Sequence, residues 1–207
     1  MFDSRIKAAD LIRQIKDEAD ISYPLPDIIY IMWLNSLEQL LYTEVIQEQG
    51  KTELCKTDTD TTDTSEIFIE TEKLSVPTGE SKLRFEDIYT IYADDTQLIK
   101  TTVTSGEIFL GTYYKLRNGI AMNLRKEPDK LKFIYIVRPE LKTEENYASL
   151  TVKIPAEFID LAKAKLRGEA YKIANEDSLA AKWLNDYNIL LETFKLWITN
   201  KQSSFGM

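Results

Sequence analysis

Three pairs of adjacent carboxylates, Asp94-Asp95, Glu144-Glu145 and Glu176-Asp177, are where residue types first invite chemistry. Two acids facing each other across a cleft can share the acid and base work of glycoside cleavage. Adjacency in sequence does not supply that facing geometry. All three pairs fall in predicted turns, where solvated acids are the expectation. A further acidic run, Asp58, Asp60 and Asp63, has spacing that invites a calcium reading. An EF-hand loop needs glycine at its sixth position and glutamate at its twelfth, and Asp63 and Ile69 stand there. The run is read as solvated, without a metal. The chain has no histidine, which excludes Ser–His–Asp and Cys–His sets. Its single cysteine, Cys55, excludes an internal disulfide and any multi-cysteine zinc site. A lone thiol suits a reducing compartment. Neither GxxxxGK[ST] nor GxGxxG occurs, so no nucleotide fingerprint is present. The expectation is a protein that is not an enzyme, with no cofactor and no catalytic residue.

Positive charge is concentrated once. Lys115, Arg117, Arg125, Lys126, Lys130 and Lys132 stand against Glu127 and Asp129, so six minus two gives +4 over 115–132. Arg125, Lys126 and Lys130 are the candidate DNA-proximal residues, although so short a run reads more readily as a solvated β-turn. The whole chain carries a net charge of −8. Such a protein does not hold nucleic acid through a general phosphate-neutralising surface. It can let DNA slide past.

These residues are positioned by helices at both ends and strands between them. Ile6, Ala9, Ile12, Ile15 and Ala19 make one apolar stripe, which predicts a helix over 4–19. Pro26 opens a second helix over 26–49 and Gly50 stops it. Its residues 28–34 are seven apolar residues in a row. A helix apolar on all sides needs neighbours on more than one side, and Ile29 and Trp33 are its candidate subunit-interface residues. Residues 51–65, KTELCKTDTDTTDTS, have no periodicity and are expected to be a mobile loop or insertion tip. From 67 to 154 the pattern is β, with 88–92 and 97–103 flanking Asp94-Asp95 as a hairpin, 131–137 as a buried strand and 148–154 as the last strand. Short turns join these segments, so an antiparallel order is expected. Pro155 then switches strand to helix, because the residue before a proline is pushed to extended conformations. Helices follow over 156–175 and 177–200. In the last, Ala180, Trp183, Leu184, Tyr187, Leu191, Phe194 and Ile198 form an apolar face. Trp183 and Tyr187 are expected to be core anchors. The expected fold class is α+β: a four-helix bundle of helices from 4–49 and 156–200, with an antiparallel β region, 67–154, inserted in one domain spanning 1–207. No window is apolar enough for a membrane span, and the N-terminus lacks the apolar core of a signal peptide.

The order of several short motifs resembles the head–tail connector (adaptor, or neck) proteins of tailed bacteriophages. In the C-terminal half these are Tyr135, Arg138 and Pro139 at the end of a strand; Ile154, Pro155, Glu157 and Phe158 opening a helix; and Tyr171, Glu176, Asp177, Ala180, Ala181, Trp183 and Tyr187 across the helix pair. In the front half, DIIYIMWLNSLEQLLY is similar to the family's second helix, with Trp33, Leu34 and Asn35 near its middle, and FEDIYTIYADDTQL to the strand pair after it. The likeness leaves out 51–65. It implies a structural virion protein that assembles with itself, usually as a ring of twelve copies. The ring sits between the portal protein and the next tail or neck protein, and double-stranded DNA passes through without sequence-specific contact. The tail KQSSFGM, with Phe205 and Met207, is the candidate portal-docking segment. Another ring-forming virion subunit, such as a head-completion or tail-terminator protein, is the alternative. A non-catalytic interaction module of a cellular complex comes after it.

Overall fold

The fold is a computed structural model that describes residues 4–19, 25–47, 55–58, 68–70, 88–101, 109–115, 119–126, 128–136 and 138–200. The class is α+β: two N-terminal helices, two small sheets and two C-terminal helices. The chain divides into two compact units. A helical unit is built from both ends, 1–51 and 139–207, and a β unit from 52–138.

In the helical unit, α1 (Ala8–Glu18) buries Ile12 and Ile15 from the expected stripe, with Ala8 and Leu11 beside them, while Ile6 and Ala9 are only half-buried. It starts four residues later than its pattern predicts. Residues 4–7 run extended and bond to 150–152 instead: the Val152 N–H donates to the Ile6 carbonyl at 2.8 Å, the Ser4 hydroxyl donates to the Val152 carbonyl at 3.0 Å, and Lys7 faces Thr151 in an antiparallel bridge. The same contacts correct the reading of 148–154. That segment alternates like a strand, but it joins neither sheet; its edge pairs with the N-terminal segment, and it belongs to the helical unit.

Helix α2 (Asp27–Gln47) begins just after Pro26, whose carbonyl accepts the Ile29 N–H at 3.1 Å. It buries Tyr30, Ile31, Leu34, Leu37 and Leu41 on one side. Pro155 does switch the chain. A single 3-10 turn (Ala156–Phe158) follows it and runs into α3 (Ile159–Ile173). Asn175, at φ +59°, ends α3 in the left-handed conformation, and the Glu176 N–H returns to the Tyr171 carbonyl at 2.9 Å. Helix α4 (Asp177–Asn200) then packs along α3. Gly168 allows that approach, since a Cβ there would lie 2.7 Å from Leu184 Cγ and 3.2 Å from the Leu184 backbone nitrogen. Phe194 and Ile198 are fully buried, and the Phe158 ring meets Phe194 edge-on with centroids 5.2 Å apart. Helix α3 touches α1 and α2 as well as α4.

The β unit has strands β1 (Cys55–Asp58), β2 (Phe68–Glu70), β3 (Ile88–Ala93), β4 (Thr96–Gln97), β5 (Ile99–Lys100), β6 (Thr112–Lys115), β7 (Gly119–Asn123) and β8 (Leu131–Ile136). They form two sheets, ordered β1-β8-β3-β4 and β2-β7-β6-β5, antiparallel except for the β5–β6 pair. Asp94 and Asp95, at φ +47° and +65°, make the two-residue turn between β3 and β4. Positive φ at both central positions marks the turn type whose twist suits a hairpin. The expected single strand over 97–103 is broken at Leu98. Its N–H donates to the Ile91 carbonyl at 2.8 Å, its side chain is buried, and the chain passes there from one sheet to the other. Part of 51–65 is also ordered, against expectation: Cys55–Asp58 pairs antiparallel with β8, Cys55 opposite Ile136. Backbone bonds to a partner make this strand, which is why its polar sequence carries no β periodicity. Ile88, Ile91, Leu98, Tyr113, Ile120, Met122, Leu131, Phe133 and Tyr135 make one core cluster drawn from both sheets.

Candidate functional site

The carboxylate pairs hold turns and helix ends. Asp94 Oδ1 accepts the backbone N–H groups of Asp129 and Lys130 at 2.8 and 3.0 Å, and Lys126 Nζ lies 3.7 Å from Oδ2. Glu176-Asp177 stands at the start of α4, where negative charge complements the helix dipole. Glu144-Glu145 is exposed on a turn. Among the described residues no group of three or more His, Cys, Asp or Glu could hold a metal ion.

Close to Glu144-Glu145 in the chain, Lys142 makes a polar contact taken out of water. Lys142 Nζ meets Glu38 Oε2 at 2.5 Å, with both side chains 1% exposed. Glu38 Oε1 also accepts the Lys153 N–H at 2.8 Å. Burial pushes the Glu38 carboxyl above its ordinary range, against the opposing pull of Lys142 and the Lys153 amide. Asn35, one turn earlier on α2, donates to the Lys142 carbonyl at 2.8 Å and accepts its N–H at 3.0 Å. Asn146 closes the turn above: its side-chain oxygen accepts the Thr143 N–H at 2.7 Å and its amide donates to the Leu141 carbonyl at 3.2 Å. Tyr147 donates to Asp27 Oδ2 at 2.6 Å, and Lys16 donates to Oδ1 at 2.7 Å. Those two bonds, Lys16 first, hold the Asp27 carboxyl below its ordinary range. The result is a fixed knob at 140–146. Lys142 points inward, while Leu141, 67% exposed, stands among the exposed Glu140, Glu144 and Glu145. Sequence reasoning missed this anchor. The available signal was Glu38 itself, which shares a helix face with Leu34, Leu37 and Leu41.

The basic turn is the counterpart in the β unit. Arg125, Lys126 and Lys130 are exposed, and they are brought together on the turn between β7 and β8 that Asp94 holds. Beside them is a cavity of about 320 Å³ with Leu98, Leu110, Leu124 and Pro128 in its wall and Arg125 and Lys126 at its rim.

A second cavity, about 510 Å³, lies along α3 and α4, with Lys163, Arg167, Trp183, Asp186 and Ile189 in its wall. The Arg167 guanidinium sits 4.7 Å from the centre of the Trp183 ring and pairs with Glu18 of α1. Burial pushes Arg167 below its ordinary value. Trp183 is thus a half-buried groove residue and not the core anchor its stripe predicted, whereas Tyr187 is buried as expected. Trp183 sits at the flank of the apolar arc, packed against the buried Ala19, Tyr171 and Ala180, with the Arg167 cation over its ring.

Of the candidate interface residues, Ile29 and Trp33 are half-buried, and Trp33 meets Tyr30 edge-on with centroids 5.4 Å apart. Among the described side chains of α2, the exposed large apolar residues are Met32, 58% exposed, and Leu40. Phe205 and Met207 lie outside the described residues. No helix among the described residues is long and apolar enough to cross a membrane. No family model matches the chain, and no curated protein matches it either.

Proposed function

We propose that this chain is a structural, ring-forming virion protein of the head–tail connector kind, seated between a portal protein and the next tail component, with DNA passing through the ring. The observation that carries the reading is α2. It fills its own core with Tyr30, Ile31, Leu34, Leu37 and Leu41, yet it also turns Met32 and Leu40 outward. A helix apolar on two sides has a second partner to find, and another copy of the same chain supplies one. The order of motifs that resembles connector proteins runs through this helix, the strand pair after it, the strand that ends before Arg138 and Pro139, and the α3–α4 pair. The acidic balance of −8 supports a conduit that does not hold DNA. The place of Arg125 and Lys126 beside a cavity walled by Leu98, Leu110, Leu124 and Pro128 favours a protein contact for them over the DNA-proximal role their charge suggests.

Native mass spectrometry and particle imaging of the purified chain, alone and with a portal protein, test the proposal. The expected result is a closed ring, of twelve copies if it follows the family it resembles, that joins the portal as one particle. A chain that stays monomeric at tens of micromolar and ignores the portal overturns it. Removal of residues 201–207 separately tests the docking tail: unchanged portal co-assembly would assign the docking to another surface.

A further inference from the structure

We infer that the acidic knob of one copy, with Leu141 as its anchor, docks into the basic-rimmed cavity of the β unit of the next copy, and that this is the contact that propagates the ring. The inference rests on the connector reading for its premise that copies assemble, and it adds the two surfaces that meet. The knob carries the exposed Leu141 and, within four residues of it in the chain, the exposed Glu140, Glu144 and Glu145. The cavity is lined by Leu98, Leu110, Leu124 and Pro128 together with Asp94 and Thr96, and the exposed cations Arg125 and Lys126 border it. Its volume of about 320 Å³ is at the small end of ligand pockets. That size takes an aliphatic side chain with its backbone and is small for a cofactor. Lys126 is shared with Asp94, whose other oxygen is already committed to two backbone N–H groups, while no described residue pairs with Arg125. Among the described residues the cavity therefore has two cations, Arg125 and Lys126, against the one carboxylate of Asp94, while the knob carries three acids.

Both surfaces are fixed before they meet. The knob stands on the buried Lys142–Glu38 pair, the Asn35 bonds and the Asn146 turn. The cavity's rim is held by Asp94. Little freedom remains to be lost on docking, which is what makes a small contact effective. The knob and the cavity are distinct patches of one chain, so a copy can offer its knob to one neighbour and its cavity to another, the head-to-tail arrangement that closes into rings.

The four side chains to be reversed are exposed, and the described contact they disturb is the 3.7 Å Lys126–Asp94 pair; R125E alone spares it and should weaken association in the same direction. Sedimentation velocity and mass photometry of the full chain would compare wild type with two variants, R125E/K126E and E144K/E145K. Each variant is expected to associate at least tenfold more weakly than wild type, since like charges then face each other at every contact. Mixing the two variants is expected to restore assemblies in which they alternate, because each knob then meets a cavity of opposite charge. Raising the salt should weaken wild-type association and the mixed assembly alike. L141D should fail to assemble alone or in any mixture. Wild-type rings that are indifferent to both reversals overturn this contact while leaving the ring reading intact; that result would return the basic turn to a DNA-facing role. Loss of assembly in each variant without rescue on mixing also overturns it. A wild type that never associates overturns both readings together.

Discussion

The acidic turn at 140–146 and the basic turn at 125–130 are both held in place by side chains reaching across from other segments, yet by opposite means. Under the acidic turn the fixing contact is a salt bridge taken wholly out of water, with Asn35 beside it. Under the basic turn it is a single half-exposed carboxylate, Asp94, on backbone N–H groups. The difference follows from the surroundings. The segment 139–154 has no sheet to belong to and lies over α2, so its register must be set by specific polar contacts across the helix. The segment 125–130 joins two strands whose ladders already set register, so only its tip needs fixing. A buried charge pair is weak evidence for net stability, but breaking it is costly because one charge stays behind.

The largest effect is therefore expected at Lys142. The substitution Lys142→Met leaves the Glu38 carboxyl buried without its ammonium, and should cost about 3–5 kcal/mol in chemical denaturation. The pH dependence gives the sign. Burial already raises the Glu38 carboxyl above its ordinary range, and loss of Lys142 raises it further. The variant's deficit should be full above that raised value, where the carboxylate is charged, and should shrink as pH falls through it. A deficit that grew on acidification would remove Glu38 as its cause. Asn35→Ala comes next, with an expected cost of about 1–3 kcal/mol for two partners left unsatisfied in a partly buried place. It should leave the pH profile of wild type unchanged, which separates the neutral contact from the charged one.

In the β unit the expected effects are smaller. Asp94→Ala removes the acceptor of two N–H groups and should cost about 1–2 kcal/mol. The change should be local. Hydrogen exchange at the Asp129 and Lys130 amides should quicken while exchange in the β3–β8 ladder does not. Uniform acceleration through the sheet would mean that Asp94 fixes more than the tip.

What could be read from the sequence divides along the same line. The apolar stripes of α1 and α4, the Pro155 switch and the Asp94-Asp95 turn were legible because each rests on local spacing or on local backbone preference. The strand at Cys55–Asp58 was not, since its identity comes from its pairing to β8. The alternating 148–154 misled, because an edge can pair with a chain end as well as with a sheet. The break at Leu98 could not be seen either: Leu98 and Ile99 both read as apolar strand residues, and nothing local reports that Leu98 is buried while Ile99 is exposed beyond the switch between sheets. For the candidate site, the charges of the basic turn were legible and their cavity was not. The knob's acids looked merely solvated, because nothing local reports that Lys142 between them turns inward to a partner more than a hundred residues away.

The smallest expected effect is a gain, and it tests the claim that the basic side is set by turn geometry rather than by desolvated charge. Asp94 and Asp95 both sit at positive φ. Asp94 has a reason to be an acid there, because its oxygens are used. Asp95 is exposed and stands in the left-handed region, where glycine rests without the steric cost that a Cβ brings. Glycine also loses more freedom on folding, which offsets part of the relief. Asp95→Gly should therefore stabilise the β unit by about 0.5 kcal/mol, read as a small rise in denaturation midpoint. It should also leave exchange at the Asp129 and Lys130 amides as slow as in wild type, since Asp94 still holds them. If Asp95→Gly instead destabilises and frees those amides, the turn depends on the second carboxylate as well. The two turns would then be alike in needing charge, and the contrast between them would fail.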